Sequence, residues 1–211
     1  MQAINFDDKT ARKADAGQFI SQSGGYVGTI LQCRMWETQN HAQMIELLFK
    51  DDDERHLWIL MCLISGKGEQ TFDYPRIQAL MGLLGKTVLN PEPAKVRRRD
   101  GGVDDGFRCK AIEKSRIGIV VQRLNDIYEV NGEVREGHPM RLVSFFDAQT
   151  RQTYHEKADN KPAKDTDARI KNLKEFVNTK AYDDWKNGFA NNGFESQARS
   201  SAEDLGEDIP F

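Results

Sequence analysis

A chain of 211 residues, 38% hydrophobic and 30% charged, has room for one folded domain with polar appendages. No apolar run is long enough to span a bilayer and the start lacks a basic-then-apolar leader, so the expected setting is a reducing cytoplasm rather than a membrane or a secreted fluid. The net charge of −3 is unevenly spread: from Glu195 onward there are five acids against Arg199, which leaves +1 on residues 1–194, and Lys86–Arg123 holds ten Lys or Arg against five Asp or Glu. That distribution suits a polyanion binder with an acidic protein-docking end.

Residues 1–24 read as a polar arm around Phe6 and Phe19, ended by Ser23-Gly24-Gly25. Tyr26–Trp36 alternates as a long strand. Uninterrupted alternation puts Val27, Thr29, Leu31, Cys33 and Met35 on one face, and Tyr26, Gly28, Ile30, Gln32, Arg34 and Trp36 on the other. Gly28 in its middle suggests a bulge or strong coiling. After the polar turn 37–43, Met44–Phe49 and Arg55–Ile64 read as two further strands joined through Asp51-Asp52-Asp53-Glu54. Trp58, surrounded by Leu57, Ile59 and Met61, is expected in the core.

Ser65–Thr71 is a loop. A short amphipathic helix follows, with Pro75 in its first turn, Ile77, Leu80, Met81 and Leu84 on one stripe, and Gly85 as the stop. Lys86–Arg108 is turn-rich, with Pro91, Pro93 and Gly101-Gly102. Ile117–Val130 and Met140–Phe146 read as strands joined by a loop that begins with the tight-turn pair Asn131-Gly132. From Asp147 to Asp165 the chain is polar. A helix is expected near Thr166, with Ile170, Leu173, Phe176 and Val177 on one face, and Tyr182, Trp185 and Phe189 suggest a second. After Gly193 the composition turns to Ser, Gln, Asn and acids, which cannot bury enough surface to fold alone.

Three strands, a helix and two strands are the order of a five-stranded OB-fold, so the expected class is mainly β with helices (α+β), built on an OB-like barrel. The expected organisation is an arm over 1–24, the barrel over 25–147, a helical extension over 148–193 and an acidic interaction tail over 194–211. Order alone also fits other small α+β folds.

Glu207-Asp208-Ile209-Pro210-Phe211 closes the chain, with Asp204 just before it. Pro210 disfavours helix, and Phe211 is suited to a partner's apolar pocket while the carboxylates meet Lys or Arg at its rim. The plain alternative is a solvated acidic end. This ending resembles the acidic tip of bacterial and phage single-stranded DNA-binding proteins, where a few acids precede Ile-Pro-Phe. The resemblance implies an OB-fold that coats single-stranded DNA in replication, recombination or repair, and a tail (Asp204, Glu207, Asp208, Ile209, Pro210, Phe211) that recruits partner proteins. The helical segment at 166–189 departs from those relatives, which have a flexible linker there, and oligomeric state is left open.

Single-strand binding needs cations along the phosphates and exposed rings for the bases. The candidate cations are Arg97, Arg98, Arg99, Arg108, Lys110, Lys114 and Arg116, with Lys86 and Arg34 second. The candidate rings are Trp36 and Tyr26, read as sharing a strand face with Arg34, and Tyr128 near the 131–139 loop. The arginine run also suits a solvated loop or a dock for the chain's own acidic tail, and aromatic strand residues are more often core than ligand platform. No catalytic constellation stands out: Asp51-Asp52-Asp53-Glu54 reads as a hairpin turn rather than a magnesium site, the four histidines are scattered, and no cysteine spacing suits zinc. The expectation is therefore a protein that is not an enzyme and carries no cofactor or metal. A rival reading is an adaptor that docks through the same tail and does not bind DNA.

Overall fold

The computed structural model describes residues 19–188, and they form a mainly β architecture with a few short helices. In chain order the elements are β1 (Gly24–Glu37), β2 (Gln43–Asp51), β3 (His56–Ile64), α1 (Tyr74–Leu83), β4 (Glu92–Arg97), β5 (Val103–Arg108), a 3₁₀ turn (Lys110–Ile112), β6 (Arg116–Val130), β7 (Glu133–Gly137), β8 (Met140–Phe146), α2 (Tyr154–Ala158), α3 (Asp165–Lys171), β9 (Val177–Asn178) and α4 (Lys180–Lys186).

β1 organises the sheet because its two edges are used differently. One edge pairs with β2 along nearly its whole length. The other is divided: Gly24–Thr29 pair with β6, and Arg34 and Met35 pair with β5. β3 lies beyond β2, β8 lies beyond β6, and β4 lies beyond β5. Close backbone approach at the β1–β2 crossing explains Gly28, since a Cβ there would run into the Lys50 carbonyl.

The sheet curls around one core. Ile30 and Cys33 of β1, Ile45, Leu47 and Phe49 of β2, Leu57, Ile59, Met61 and Leu63 of β3, and Ile117, Ile119, Val121, Leu142 and Phe145 of β6 and β8 all join it. Helix α1 contacts both β3 and β8 and contributes Ile77, Leu80 and Leu83. No ladder joins β3 to β8 among the described residues, so the sheet is open there, where an OB-like barrel was expected. Residues 65–85 run through α1 at that gap, which leaves the two strand edges unpaired with each other.

Several segments differ from the sequence reading. The turn-rich stretch 86–108 holds the β4–β5 hairpin, and the 131–139 loop holds β7, hinged on the expected Asn131-Gly132 turn with both residues at positive φ. The polar stretch 147–165 contains α2, closed by a capping box between Thr153 and Glu156. Helix α3 ends at Lys171, so Phe176 is exposed and Val177 sits in β9 beside Leu124 rather than on a helical stripe. The C-terminal helices pack on the sheet: a Cβ at Gly25 would meet Ile170, and Tyr182 Oη bonds Glu136 of β7 at 2.9 Å.

Candidate nucleic-acid interface

The outward face of β1, β2 and β3 brings Arg34, Trp36 and Trp58 together. A bulge in β1 decides its membership. Register runs Ile30 to Phe49 but Gln32 to Leu48, so Leu31 is the extra residue and the alternation changes phase there. Before the bulge, Tyr26 packs against the core; after it, Cys33 and Met35 face the core while Gln32, Arg34 and Trp36 face outward. Tyr26 therefore does not share the face of Arg34 and Trp36, correcting the expectation from uninterrupted alternation. Its hydroxyl donates to the Gln22 carbonyl, Arg55 sits over its ring, and burial pushes its hydroxyl pKa up despite the Arg55 charge.

Arg34 lies 4.5 Å from the Trp36 ring centre, a cation–π pair. Trp36 packs on Ala42, Met44 and Cys62, so one side of its indole is fixed and the residue remains partly open. Trp58 is not in the core. Its neighbours Leu57 and Ile59 face inward, which turns Trp58 outward opposite Leu48, half-buried, with Leu60 beside it 46% exposed. Two tryptophans and an arginine thus share one face, and only the Trp36 and Arg34 part was anticipated.

The β4–β5 hairpin folds toward this face as a side wall. The Gln32 amide donates to the Arg97 carbonyl at 3.0 Å and accepts from the Arg97 N–H at 2.8 Å. Arg99 Nε donates to the buried Glu46 carboxylate at 2.8 Å, and Glu46 stands opposite Arg34 in the β1–β2 register. Val96, fully buried, packs against Gly106 inside the hairpin.

Most of the basic segment is already paired. Arg98 meets Asp100 and Asp104, Arg108 makes a two-pronged bond to Glu113, Lys110 meets Glu92, and Arg116 clasps Asp52. These bonds hold the Asp52 carboxyl below its usual range, mainly through the Arg116 hydrogen bond, and raise the Arg108 and Arg116 pKa. Of the candidate cations, Arg34, Lys86, Arg97 and Lys114 have no carboxylate partner among the described residues. They are spread out: Arg34 is on the outward face, Arg97 on the hairpin, Lys86 past α1 and Lys114 in the positive-φ turn before β6. Tyr128 is 50% exposed on the β6–β7 arm. Asp204, Glu207, Asp208, Ile209, Pro210 and Phe211 lie outside the described residues, as does Phe189.

The acids at 51–54 form a turn in which each of the first three meets an arginine: Asp51 and Asp53 bind Arg55, and Asp52 binds Arg116. Glu54 binds Lys50. The four carboxylates are thus shared among three cations rather than turned toward one point. No group of His, Cys, Asp and Glu suited to a metal ion occurs among the described residues, and no described helix is long and apolar enough to cross a membrane. No family model matches the chain, and no curated protein matches it.

Proposed function

We propose that this chain is a single-stranded DNA-binding protein without enzymatic activity. It coats transient single strands in replication, recombination or repair, in the cytoplasm of a bacterial or phage-infected cell. On this reading β1, β2, β3, α1, β6 and β8 are the five strands and helix of an OB-type barrel left open between β3 and β8. The order of strands, with a helix between the third and fourth, supports it. The observation that carries the proposal is the outward face itself: Arg34 over Trp36, with Trp58 and Leu60 alongside and the Arg97–Arg99 hairpin as a wall. A partly exposed ring braced by Ala42, Met44 and Cys62 can stack an unpaired base as the Arg34 guanidinium overlying it swings to a flanking phosphate. Tyr128 on the β6–β7 arm extends the same chemistry, and the segment 204–211 recruits partner proteins.

Fluorescence titration with oligo-dT tests this directly, because both tryptophans of the face report on stacking. The expected result is quenching that saturates and weakens as salt rises. Absence of any response in dilute buffer overturns the proposal and leaves the rival adaptor, which docks through the tail alone.

A further inference from the structure

Two of the three cysteines face each other in the core. Arg34 pairs with Arg108 and Met35 with Phe107, and the next step of the same register brings Cys33 opposite Cys109. The Cys109 N–H donates to the Cys33 carbonyl at 2.8 Å, continuing the ladder. The Cys33 N–H turns instead to Glu113 Oε1 at 3.0 Å, so this carboxylate holds the junction from the side. Directly opposed residues of an antiparallel pair have Cα atoms about 4.5–5.5 Å apart. That lies inside the range of about 4.4–6.8 Å spanned by disulfides. Both thiols are fully buried, and Cys109 Sγ also lies 3.1 Å from Met35 Sδ.

From this juxtaposition we infer that Cys33 and Cys109 form a cross-strand dithiol that low-molecular-weight disulfides convert to a protein disulfide, fastening the β4–β5 hairpin to β1. Among the described residues the hairpin meets β1 at two paired positions, the Cys109–Cys33 backbone bond beside them and the Gln32 contacts, and meets β2 through Arg99 and Glu46, so local opening of this short seam is the route by which a reagent reaches the thiols. Cys109 directly follows β5 and is carried outward as the arm opens, whereas Cys33 stays in the middle of β1, so Cys109 is the attacking group. The hydrogen bond from Cys33 lowers its pKa against the opposing effect of burial, whereas the same contact raises that of Cys33.

The chemistry balances with oxidised glutathione as oxidant. Cys109 thiolate attacks one glutathione sulfur, breaks the S–S bond and expels one glutathione thiolate, leaving a mixed disulfide on Cys109. The Cys33 thiol loses its proton to solvent, and its thiolate attacks the Cys109 sulfur and expels the second glutathione. Two protein thiols lose two electrons, and one oxidised glutathione becomes two thiols. Cys62 lies on the outward face of β3 beside Trp36 and is the internal control.

The test treats the native full chain with oxidised glutathione, alkylates the remaining thiols after denaturation, and reads intact mass and peptide map. The expected outcome is one alkylatable thiol left, on Cys62, a cross-linked Cys33–Cys109 peptide, and slower hydrogen exchange of hairpin amides. With Cys33→Ser, one stable glutathionyl adduct on Cys109 is expected instead. Three alkylatable thiols in the treated wild type overturn the inference, as does a disulfide that involves Cys62 or forms only after denaturation. The wild-type result decides it even where the Cys33→Ser chain fails to fold, and it does so whether or not the chain binds DNA.

Discussion

At the scale of single residues, Arg34, Trp36 and Trp58 differ in what they contribute to the outward face. Trp36 is braced by Met44 and Cys62 and overlain by Arg34, so a base that stacks there takes the place of the guanidinium on a ring already held in position. Base–aromatic stacking is worth about 1–3 kcal/mol per base, roughly 5- to 150-fold in affinity. Trp36→Ala and Trp58→Ala are each expected to weaken oligo-dT binding within that range, with far-UV circular dichroism unchanged. Arg34→Lys keeps the charge but loses the planar overlap, and is expected to lose less than Arg34→Ala. Wild-type affinity in both tryptophan variants would remove this face from the binding path. Alternation in the sequence showed Trp36 and Arg34 together. It misplaced Tyr26, because a one-residue bulge at Leu31 reverses every side chain beyond it and leaves no compositional trace. Trp58 was misread for a different reason: β3 is apolar on both faces from Leu57 to Ile64, so hydrophobicity alone does not say which face is inside.

At the scale of elements, the hardest parts to read were those held by polar bonds rather than by apolar stripes. The spans of strands β1 to β3, helix α1 and β8 lie close to those their hydrophobic patterns indicate, whatever the faces. The β4–β5 hairpin has Pro93 and a run of charged residues, and it is fastened by Gln32 and Arg99, which no periodicity reports. Helix α2 has five residues and exists through its ends. Glu156, buried, accepts from the Thr153 N–H and hydroxyl and from the Lys164 and Asp165 N–H groups. Burial alone would raise its pKa; the N–H donors of Asp165, Lys164 and Thr153 outweigh that and lower it from 4.5 to about 2. Its depressed pKa means the folded state holds the charged form. The stabilisation is complete above the ordinary value near 4.5 and is lost as pH falls through about 2. Asp147, also lowered to about 2 against the effect of burial, acts in the same direction through Lys157 and two N–H donors. Glu156→Gln is therefore expected to lower the urea midpoint at pH 7 and to flatten, though not abolish, its decline between pH 4.5 and 2. An unchanged acid limb would show that the Glu156 charge is not linked to folding.

Across the whole molecule, charge balance sets how DNA affinity should respond to salt and to the tail. Six of the ten cations in Lys86–Arg123 are bound to carboxylates, which leaves, of the candidate DNA-binding cations, Lys86, Arg97 and Lys114 of that segment together with Arg34 for phosphates. Single-strand binding loses affinity with a log–log slope of about −0.7 per neutralised phosphate. Four free cations then give a slope of about −3 in the oligo-dT titration, with stacking supplying the salt-resistant remainder. A slope twice as steep would mean that Arg98, Arg108, Lys110 or Arg116 gives up its acid when DNA arrives. Against so few free cations, an acidic segment carried on the same chain is an effective competitor, because tethering gives it a high local concentration. Deleting 204–211 removes Asp204, Glu207 and Asp208 together with Ile209, Pro210 and Phe211. The expected outcome is oligo-dT affinity equal to or a few-fold tighter than that of the full chain at low salt, with the difference vanishing as salt screens the competition. Capture of replication or recombination proteins on the immobilised chain is expected to disappear with the same deletion. Weaker DNA binding by the shortened chain would instead place the acids in the binding machinery, and retained capture would move the recruiting surface off the tail.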